Sequence, residues 1–91
     1  MALYKIKWKL SAKKEFKKID KSEIKKIFTS IEKLSNDPFP SSYKKILGTE
    51  SIYRIKIGNY RVIYSIEKDA LIIEIIRVRH KKKPIESFLN N

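Results

Sequence analysis

Three cationic residues flank a two-residue turn in the middle of the sequence. Arg54 and Lys56 precede Gly58-Asn59, and Arg61 follows it. This dipeptide between two apolar, alternating segments predicts a β-hairpin, and a two-residue loop fixes the register of its strands. Lys56 should then lie directly opposite Arg61, with Arg54 on the same face of the hairpin.

These three residues, the cation trio, are suited to binding an anion. Like charges opposed on a sheet destabilise it by about 0.2–1 kcal/mol, so an anion between them would favour their retention. Arginine clamps a phosphate but does not deprotonate, which leaves Lys56 as the member of the trio suited to acid–base work. Two alternatives remain open: all three side chains extend into solvent, or Glu74 on the following strand neutralises Arg61.

RNA cleavage is a reaction that such a trio could support. The ribose 2′-OH beside the scissile phosphate is a built-in nucleophile, so the protein must supply a base, an acid and cations that stabilise the phosphorane. The candidates for acid or base are Lys56, Lys81 and His80. His80 is the only imidazole, the side-chain type whose ordinary pKa lies nearest neutrality, although a single histidine at a strand end is often merely solvated.

The composition limits the class of partner. The chain has 91 residues, the size of one domain covering 1–91, and carries 22 Lys and Arg against 10 Asp and Glu, a net charge of +12. Such an excess favours nucleic acid first and acidic protein second, although lysine also serves as a solubilising residue. Without cysteine and with one histidine, no zinc ligands cluster, so we expect no metal.

The distribution of apolar residues indicates a protein without a membrane segment. The longest apolar runs, such as Leu71-Ile72-Ile73, are far shorter than the roughly 20 residues that span a bilayer. The N-terminus also lacks the apolar stretch of a signal peptide. We therefore expect a cytoplasmic location.

The periodicity predicts the elements that position the trio. Residues 3–10 alternate between apolar side chains and lysine, as in a half-buried strand. A first helix is predicted from Ala12 to Ile19 with Ser11 as its cap, and Asp20 with Glu23 forms a capping box for a second. The second helix should bury an apolar stripe: Ile24, Ile27, Phe28, Ile31 and Leu34.

The rest of the chain is predicted to be a long connection followed by strands. The connection runs from Asn36 to Ser51, and the strands are Ile52–Ile57, Tyr60–Glu67 and Leu71–Arg79. The order β-α-α-β-β-β predicts an α+β domain, with a single antiparallel sheet of about four strands and a helical hairpin on one face.

Several segments resemble the RelE/ParE toxin superfamily over nearly the whole chain. The most specific is the hairpin Tyr53–Tyr64, and Lys44-Lys45-Ile46-Leu47-Gly48 and Ile76–Lys82 also match. The shorter segments Lys14–Ile19 and Asn36-Asp37-Pro38 agree with the same pattern.

The resemblance implies a RelE-like toxin of a type II toxin–antitoxin system, silenced by a cognate antitoxin protein and requiring no cofactor. RelE-type members cut mRNA in the ribosomal A site, so the implied activity is a metal-independent endoribonuclease (an mRNA interferase) that inhibits translation, with the ribosome and mRNA as partners. The implied catalytic residues are Arg54, Lys56, Arg61 and Lys81. Further RNA-binding candidates are Lys44, Lys45, Arg79 and Phe88.

Two departures from the family pattern bear on this activity. Lys81 stands where the family has an arginine, which removes a bidentate phosphate contact. The C-terminal tyrosine that stacks on an mRNA base has no counterpart, and the nearest aromatic residue, Phe88, can stack but cannot donate a proton. Two alternatives therefore stay open: inhibition of DNA gyrase, as in ParE-type members, and non-catalytic binding to ribosomal RNA.

Overall fold

The computed structural model describes residues 3–46, 48 and 51–82. Within these residues, two helices and five strands follow one another. Their bounds are β1 Lys5–Trp8, α1 Leu10–Lys17, α2 Lys21–Lys33, β2 Lys44–Lys45, β3 Ile52–Ile57, β4 Tyr60–Glu67 and β5 Ile72–His80. The predicted α+β class and the order of the main elements are confirmed.

The strands form one sheet in the order β1-β5-β4-β3-β2. The β3–β4 and β4–β5 pairs are antiparallel, as predicted, but β1 runs parallel to β5, and β2 adds a short fifth strand beside β3. The expected antiparallel sheet of about four strands is therefore a five-stranded mixed sheet. The alternation in residues 3–10 determines which face β1 buries, but it carries no information about the direction of the neighbouring strand.

Both helices pack on one face of the sheet, where most of the core lies. The second helix begins as predicted, since the Asp20 carboxylate accepts a hydrogen bond from the Ser22 N–H at 3.4 Å. Ile27, Ile31 and Leu34 are buried against strand residues. Phe28 was predicted to join them but is 45% exposed, because it lies at the margin of the buried stripe.

The first helix covers the outer edge of β5 beyond the end of β1. The register between β1 and β5 ends at Trp8 and Ile75, and α1 starts two residues later. Ser11, predicted as a helix cap, lies inside α1, and its hydroxyl donates a hydrogen bond to the Ile76 carbonyl at 3.1 Å. The capping position is Lys9, which makes no side-chain cap, so the prediction for Ser11 was wrong.

Tyr64 fixes the connection after α2 onto the sheet. It is fully buried, and its hydroxyl donates a hydrogen bond to the Pro38 carbonyl at 2.7 Å. Its ring packs near Tyr53, which in turn contacts Phe39 edge-on. Burial, with smaller contributions from nearby acidic groups, raises the pKa of the Tyr64 hydroxyl well above its ordinary value.

The raised pKa of Tyr64 predicts a loss of stability at alkaline pH. An unfolded tyrosine ionises near pH 10, whereas the folded one stays protonated, so the stability from this group is present below about pH 10 and declines as the pH rises beyond it. Tyr64→Phe should cost about 0.5–1.5 kcal/mol near pH 8 through the lost hydrogen bond. The difference in the free energy of unfolding between the parent and Tyr64→Phe should become smaller toward pH 11.

Urea unfolding at several pH values measures this difference. Tyr4→Phe is the control, because Tyr4 is only partly buried and should show no such narrowing. If the difference in the free energy of unfolding between the parent and Tyr64→Phe stays constant between pH 8 and pH 11, burial does not raise the pKa of Tyr64 as stated.

Candidate functional site

The hairpin between β3 and β4 has the predicted register. Lys56 lies opposite Arg61, and Arg54 lies opposite Ile63. Gly58 has a φ of +57°, a left-handed conformation that the tight turn requires and that glycine adopts at little cost. The cation trio therefore lies on one side of the sheet, on the face turned away from the helices, called here the open face.

Pairing with the outer strands extends the trio across the sheet. Residues directly opposite each other share a face, so the partners of Arg54 and Arg61 also lie on the open face. One cross-strand row contains Lys44, Arg54, Ile63 and Arg77. The adjacent row contains Lys56, Arg61 and Arg79. We call the six cationic members of these two rows the cation rows.

The spacing of the cation rows matches a polyanion better than a single small anion. Neighbours across strands are about 4.5–5.5 Å apart at Cβ, and residues two apart along a strand are separated by about 7 Å. Ile63 interrupts the charged row and packs with Ile46 and Ile76 in a small apolar cluster. The open face therefore offers several phosphate-sized positions beside an apolar centre.

Glu15 approaches the cation rows from α1. It reaches the edge of β5 beyond the end of β1, where its carboxylate accepts a hydrogen bond from the Val78 N–H at 3.0 Å. Its other oxygen lies 3.5 Å from Arg77 Nη1 and 3.2 Å from Arg79 Nε. Glu15 therefore holds the β5 end of both rows and reduces the repulsion there.

The β3–β4 part of the open face has no such counter-charge. Within residues 3–46, 48 and 51–82, no carboxylate forms an ion pair with Lys56 or Arg61. Glu74, a candidate neutraliser of Arg61, was expected near Ile63 but lies opposite Ser65. The turn between β4 and β5 accounts for the difference, because it spans the four residues 68–71 and pairs Glu67 with Ile72. A register shift between Ile63 and Tyr64 lies farther along the strands, where it leaves Ile76 without a partner on β4.

Two unsatisfied donors also belong to arginines of the cation rows. Arg61 Nε and Arg77 Nε are buried and have no hydrogen-bond partner. Buried polar groups are usually paired, and an unpaired one costs about 1–3 kcal/mol. An anion on the open face would provide acceptors and counter-charge for these guanidinium groups.

The remaining predicted catalytic residues separate into two locations. Lys81 directly follows β5, and its N–H donates a hydrogen bond to the Asn59 carbonyl at 2.7 Å, so it lies at the turn that carries Lys56 and Arg61. His80 pairs with Tyr60 on the opposite face, where their rings meet edge-on at 5.3 Å. Its Nδ1 accepts a hydrogen bond from the Lys82 N–H at 3.2 Å.

The predicted RNA-binding residues also divide between the faces. Lys44 and Arg79 belong to the cation rows, whereas Lys45 pairs with Tyr53 and is exposed on the helix side of the edge strand. Phe88 lies outside the described residues.

Sequence reasoning did not identify two residues of the site, Arg77 and Glu15. Arg77 joins the rows only because of the register shift in β5, which no local pattern predicts. Glu15 could have been noticed as an isolated acidic residue in the lysine-rich first helix.

Glu15 should contribute to stability through two separable effects. Glu15→Gln keeps an acceptor for the Val78 N–H but removes the charge, and it should cost about 1 kcal/mol because the ion pairs are partly solvated. Glu15→Ala should cost about 2–3 kcal/mol, since it also leaves the Val78 N–H without a partner. Urea unfolding measures both, with the exposed Glu32→Gln on α2 as the control. Equal costs for the two Glu15 variants would contradict this division.

In the part of the chain that the structure describes, no helix is long and apolar enough to cross a membrane. No group of three or more His, Cys, Asp or Glu side chains is placed there to hold a metal ion.

Comparison with known proteins identifies the family. A family model described as the ParE toxin of the type II toxin–antitoxin system parDE matches residues 6–84. The chain belongs to this toxin family, within the RelE/ParE superfamily. A relative named toxin RelE1 from Methanocaldococcus jannaschii is 32% identical over 72 residues, covering 76% of this chain and 80% of the relative.

Solved structures show the same fold. RelE in the RelE–RelB complex from Pyrococcus horikoshii matches this toxin with a TM-score of 0.78 at 24% identity, covering 90% of this chain and 99% of the other. The RelB–RelE complex from Methanococcus jannaschii gives a TM-score of 0.70 at 29% identity, with 84% and 91% covered. The family match includes both cation rows of this toxin.

Proposed function

We propose that this toxin is a ribosome-dependent mRNA endoribonuclease that inhibits translation. The observation that carries the proposal is the direct opposition of Lys56 and Arg61 on the open face, where no carboxylate of the described residues pairs with either of them. Keeping like charges opposed is unfavourable unless an anion lies between them, and the phosphate of an RNA strand is such an anion. Ribosomes and mRNA as targets imply action in the cytoplasm.

The proposed reaction is a metal-free attack of the 2′-oxygen on the adjacent phosphorus. A base accepts the 2′-OH proton, the 5′-oxygen leaves with a proton from an acid, and the products are a 2′,3′-cyclic phosphate and a 5′-OH. Arg61 stabilises the phosphorane charge with paired N–H groups, and Arg54 adds charge from the same face. Lys56 and Lys81 lie at the same turn and serve proton transfer. His80 is less well placed, because its partner Tyr60 lies on the opposite face.

The other members of the cation rows bind the flanking RNA in this proposal. Lys44, Arg77 and Arg79 continue the rows on either side of the trio, so they contact neighbouring phosphates. Lys45 adds a cation at the edge strand. These contacts supply affinity and orientation, and the Lys56–Arg61 pair supplies the chemistry.

A cognate antitoxin is the proposed protein partner. The related RelE proteins of P. horikoshii and M. jannaschii were solved in complex with RelB, and the matching family is that of type II toxins. An acidic segment of the antitoxin would complement the open face, while apolar anchors would supply most of the affinity.

Gyrase inhibition is a second candidate function, because the matching family model is that of ParE toxins. It has no evident need for the Lys56–Arg61 pair. Non-catalytic binding to ribosomal RNA is a third candidate, favoured only by the +12 charge. Induced expression in a bacterial host separates them, with pulse labelling of protein and DNA. Protein synthesis should stop first; an earlier stop in DNA synthesis would favour gyrase, and no effect on either would favour simple binding.

A further inference from the structure

A pocket of about 350 Å³ adjoins Lys56 at the outer edge of β3. Its walls come from the end of α2, the connection that follows α2, and residues 55–57 of β3. This volume lies within the roughly 300–1,000 Å³ typical of sites for small ligands. Apart from Lys56, none of its lining residues takes part in the proposed cleavage.

The inner wall of the pocket is apolar and belongs to the core. Leu34, Ile55 and Ile57 line it, and each of them is buried in the main hydrophobic cluster. Such a wall gives a planar group van der Waals contact without loss of hydrogen bonds. Nucleobases are planar groups of this kind, and RNA-binding proteins commonly bind them in unstacked form.

The rim carries hydrogen-bonding groups. Three of the lining residues, Ser30, Asn36 and Ser42, have polar side chains. The backbone of Lys56 adds a donor and an acceptor. The Ile52 carbonyl accepts a hydrogen bond from the Ile46 N–H at 2.9 Å, so the backbone groups of Ile52 point toward the outer edge of β3. Because backbone groups alternate in direction along a strand, those of Lys56 point toward the same edge.

The edge groups of Lys56 lie beyond the end of β2. The register between β2 and β3 ends at the pair Lys44 and Arg54, and Lys56 is the next residue with the same orientation. An N–H and a C=O side by side match the donor and acceptor pattern along the edge of a nucleobase.

Charges of both signs line the pocket: the cations Lys33 and Lys56, and the carboxylate of Asp37. The Asp37 carboxylate lines the pocket and is fixed by a hydrogen bond from the Phe39 N–H at 3.1 Å. It repels a phosphate but can accept a hydrogen bond from the amino group of a base. The phosphate positions lie instead on the open face, and Lys56 is common to both places because it lines the pocket and pairs with Arg61.

We propose that this pocket binds a nucleobase next to the scissile phosphate and so determines which nucleotide of the mRNA is cut. The part of this inference that concerns cleavage rests on the proposed ribonuclease function. The binding of the base itself is independent of cleavage and can be measured separately. The alternative occupant, a β-strand of the antitoxin added at the free edge of β3, is an outcome of the test.

The test uses the full chain and a heptauridylate in which 2-aminopurine replaces one residue at a time. Binding of the free protein should change the 2-aminopurine fluorescence strongly at one position. Ser30→Leu fills the pocket from α2 and should abolish that change and weaken binding about tenfold. Thr29→Leu, on the same helix but outside the pocket lining, is the matched control and should behave as the parent. Asn36→Ala, which truncates a side chain on the rim, provides a second variant if Ser30→Leu does not fold.

The results distinguish this proposal from the proposed function. A position-specific change that is lost in Ser30→Leu or Asn36→Ala supports the base site even if the parent never cuts RNA. An unchanged profile in a folded variant overturns it. Loss of antitoxin binding with RNA binding intact also overturns it and assigns the edge to a protein strand. If the parent cuts ribosome-bound mRNA, the pocket variants should cut with altered base preference.

Discussion

Lys56→Ala should reduce cleavage of ribosome-bound mRNA by about 10²–10⁴-fold, the usual contribution of a positioned acid or base. Lys56 lies directly opposite Arg61, so the substitution removes a cation from the scissile phosphate as well as the proton-transfer group. The fold should persist, because removing one of two opposed like charges relieves repulsion. Lys25→Ala on the exposed side of α2 is the matched control and should cut as the parent does.

Arg61 should show a different pattern from Lys56. Arg61→Ala removes transition-state stabilisation, with an expected loss of about 10²–10³-fold. Arg61→Lys should recover only part of this loss, since an ammonium cannot hold two phosphate oxygens at once. Single-turnover cleavage on programmed ribosomes measures both, with circular dichroism as the folding control. Folded variants that cut at the parent's rate would contradict the assigned site.

Binding to isolated RNA should weaken about a hundredfold between 50 and 200 mM salt. Each phosphate neutralised on a single strand contributes about −0.7 to the slope of log affinity against log salt, and contact of the six cations with about five phosphates gives roughly −3.5. The dependence reflects release of counterions from the RNA, so it reports the number of phosphate contacts. Fluorescence anisotropy with a short single-stranded RNA measures it.

Single variants locate the salt-dependent surface. Lys44→Ala and Arg54→Ala, on neighbouring strands of one row, should each reduce the slope by about 0.7. Lys25→Ala should leave it unchanged if the helix side does not contact RNA. An affinity that does not change with salt would show that the open face is not the binding surface. The same conclusion would follow if Lys25→Ala reduced the slope as much as Lys44→Ala and Arg54→Ala.

The part of the site on the hairpin could be predicted because its geometry is local. A two-residue turn sets the register, and the register places Lys56 opposite Arg61 without reference to the rest of the chain. The helix-facing residues of the same strands followed from their alternation. The family resemblance gave the same candidates independently.

The rest depended on long-range pairing that local patterns do not contain. The two residues of β2 are too few to show periodicity, and their place beside β3 became visible only in the sheet. The four-residue turn before β5 placed Glu74 opposite Ser65, and the extra residue in β5 brought Arg77 into the row with Arg54. His80 lies on the helix side of the sheet because it pairs with Tyr60, which faces the helices. Its sequence neighbour Arg79 pairs with Arg61 and lies on the open face.

Primer extension on programmed ribosomes, with the purified toxin and its Lys56→Ala variant, tests the proposed function most directly. The parent should cut the mRNA within the A-site codon and leave a 2′,3′-cyclic phosphate, and the folded variant should leave the mRNA intact. A folded parent that leaves ribosome-bound mRNA intact but blocks supercoiling by purified gyrase would contradict the ribonuclease assignment. The family membership would still stand, and the function of the open face would have to be assigned anew.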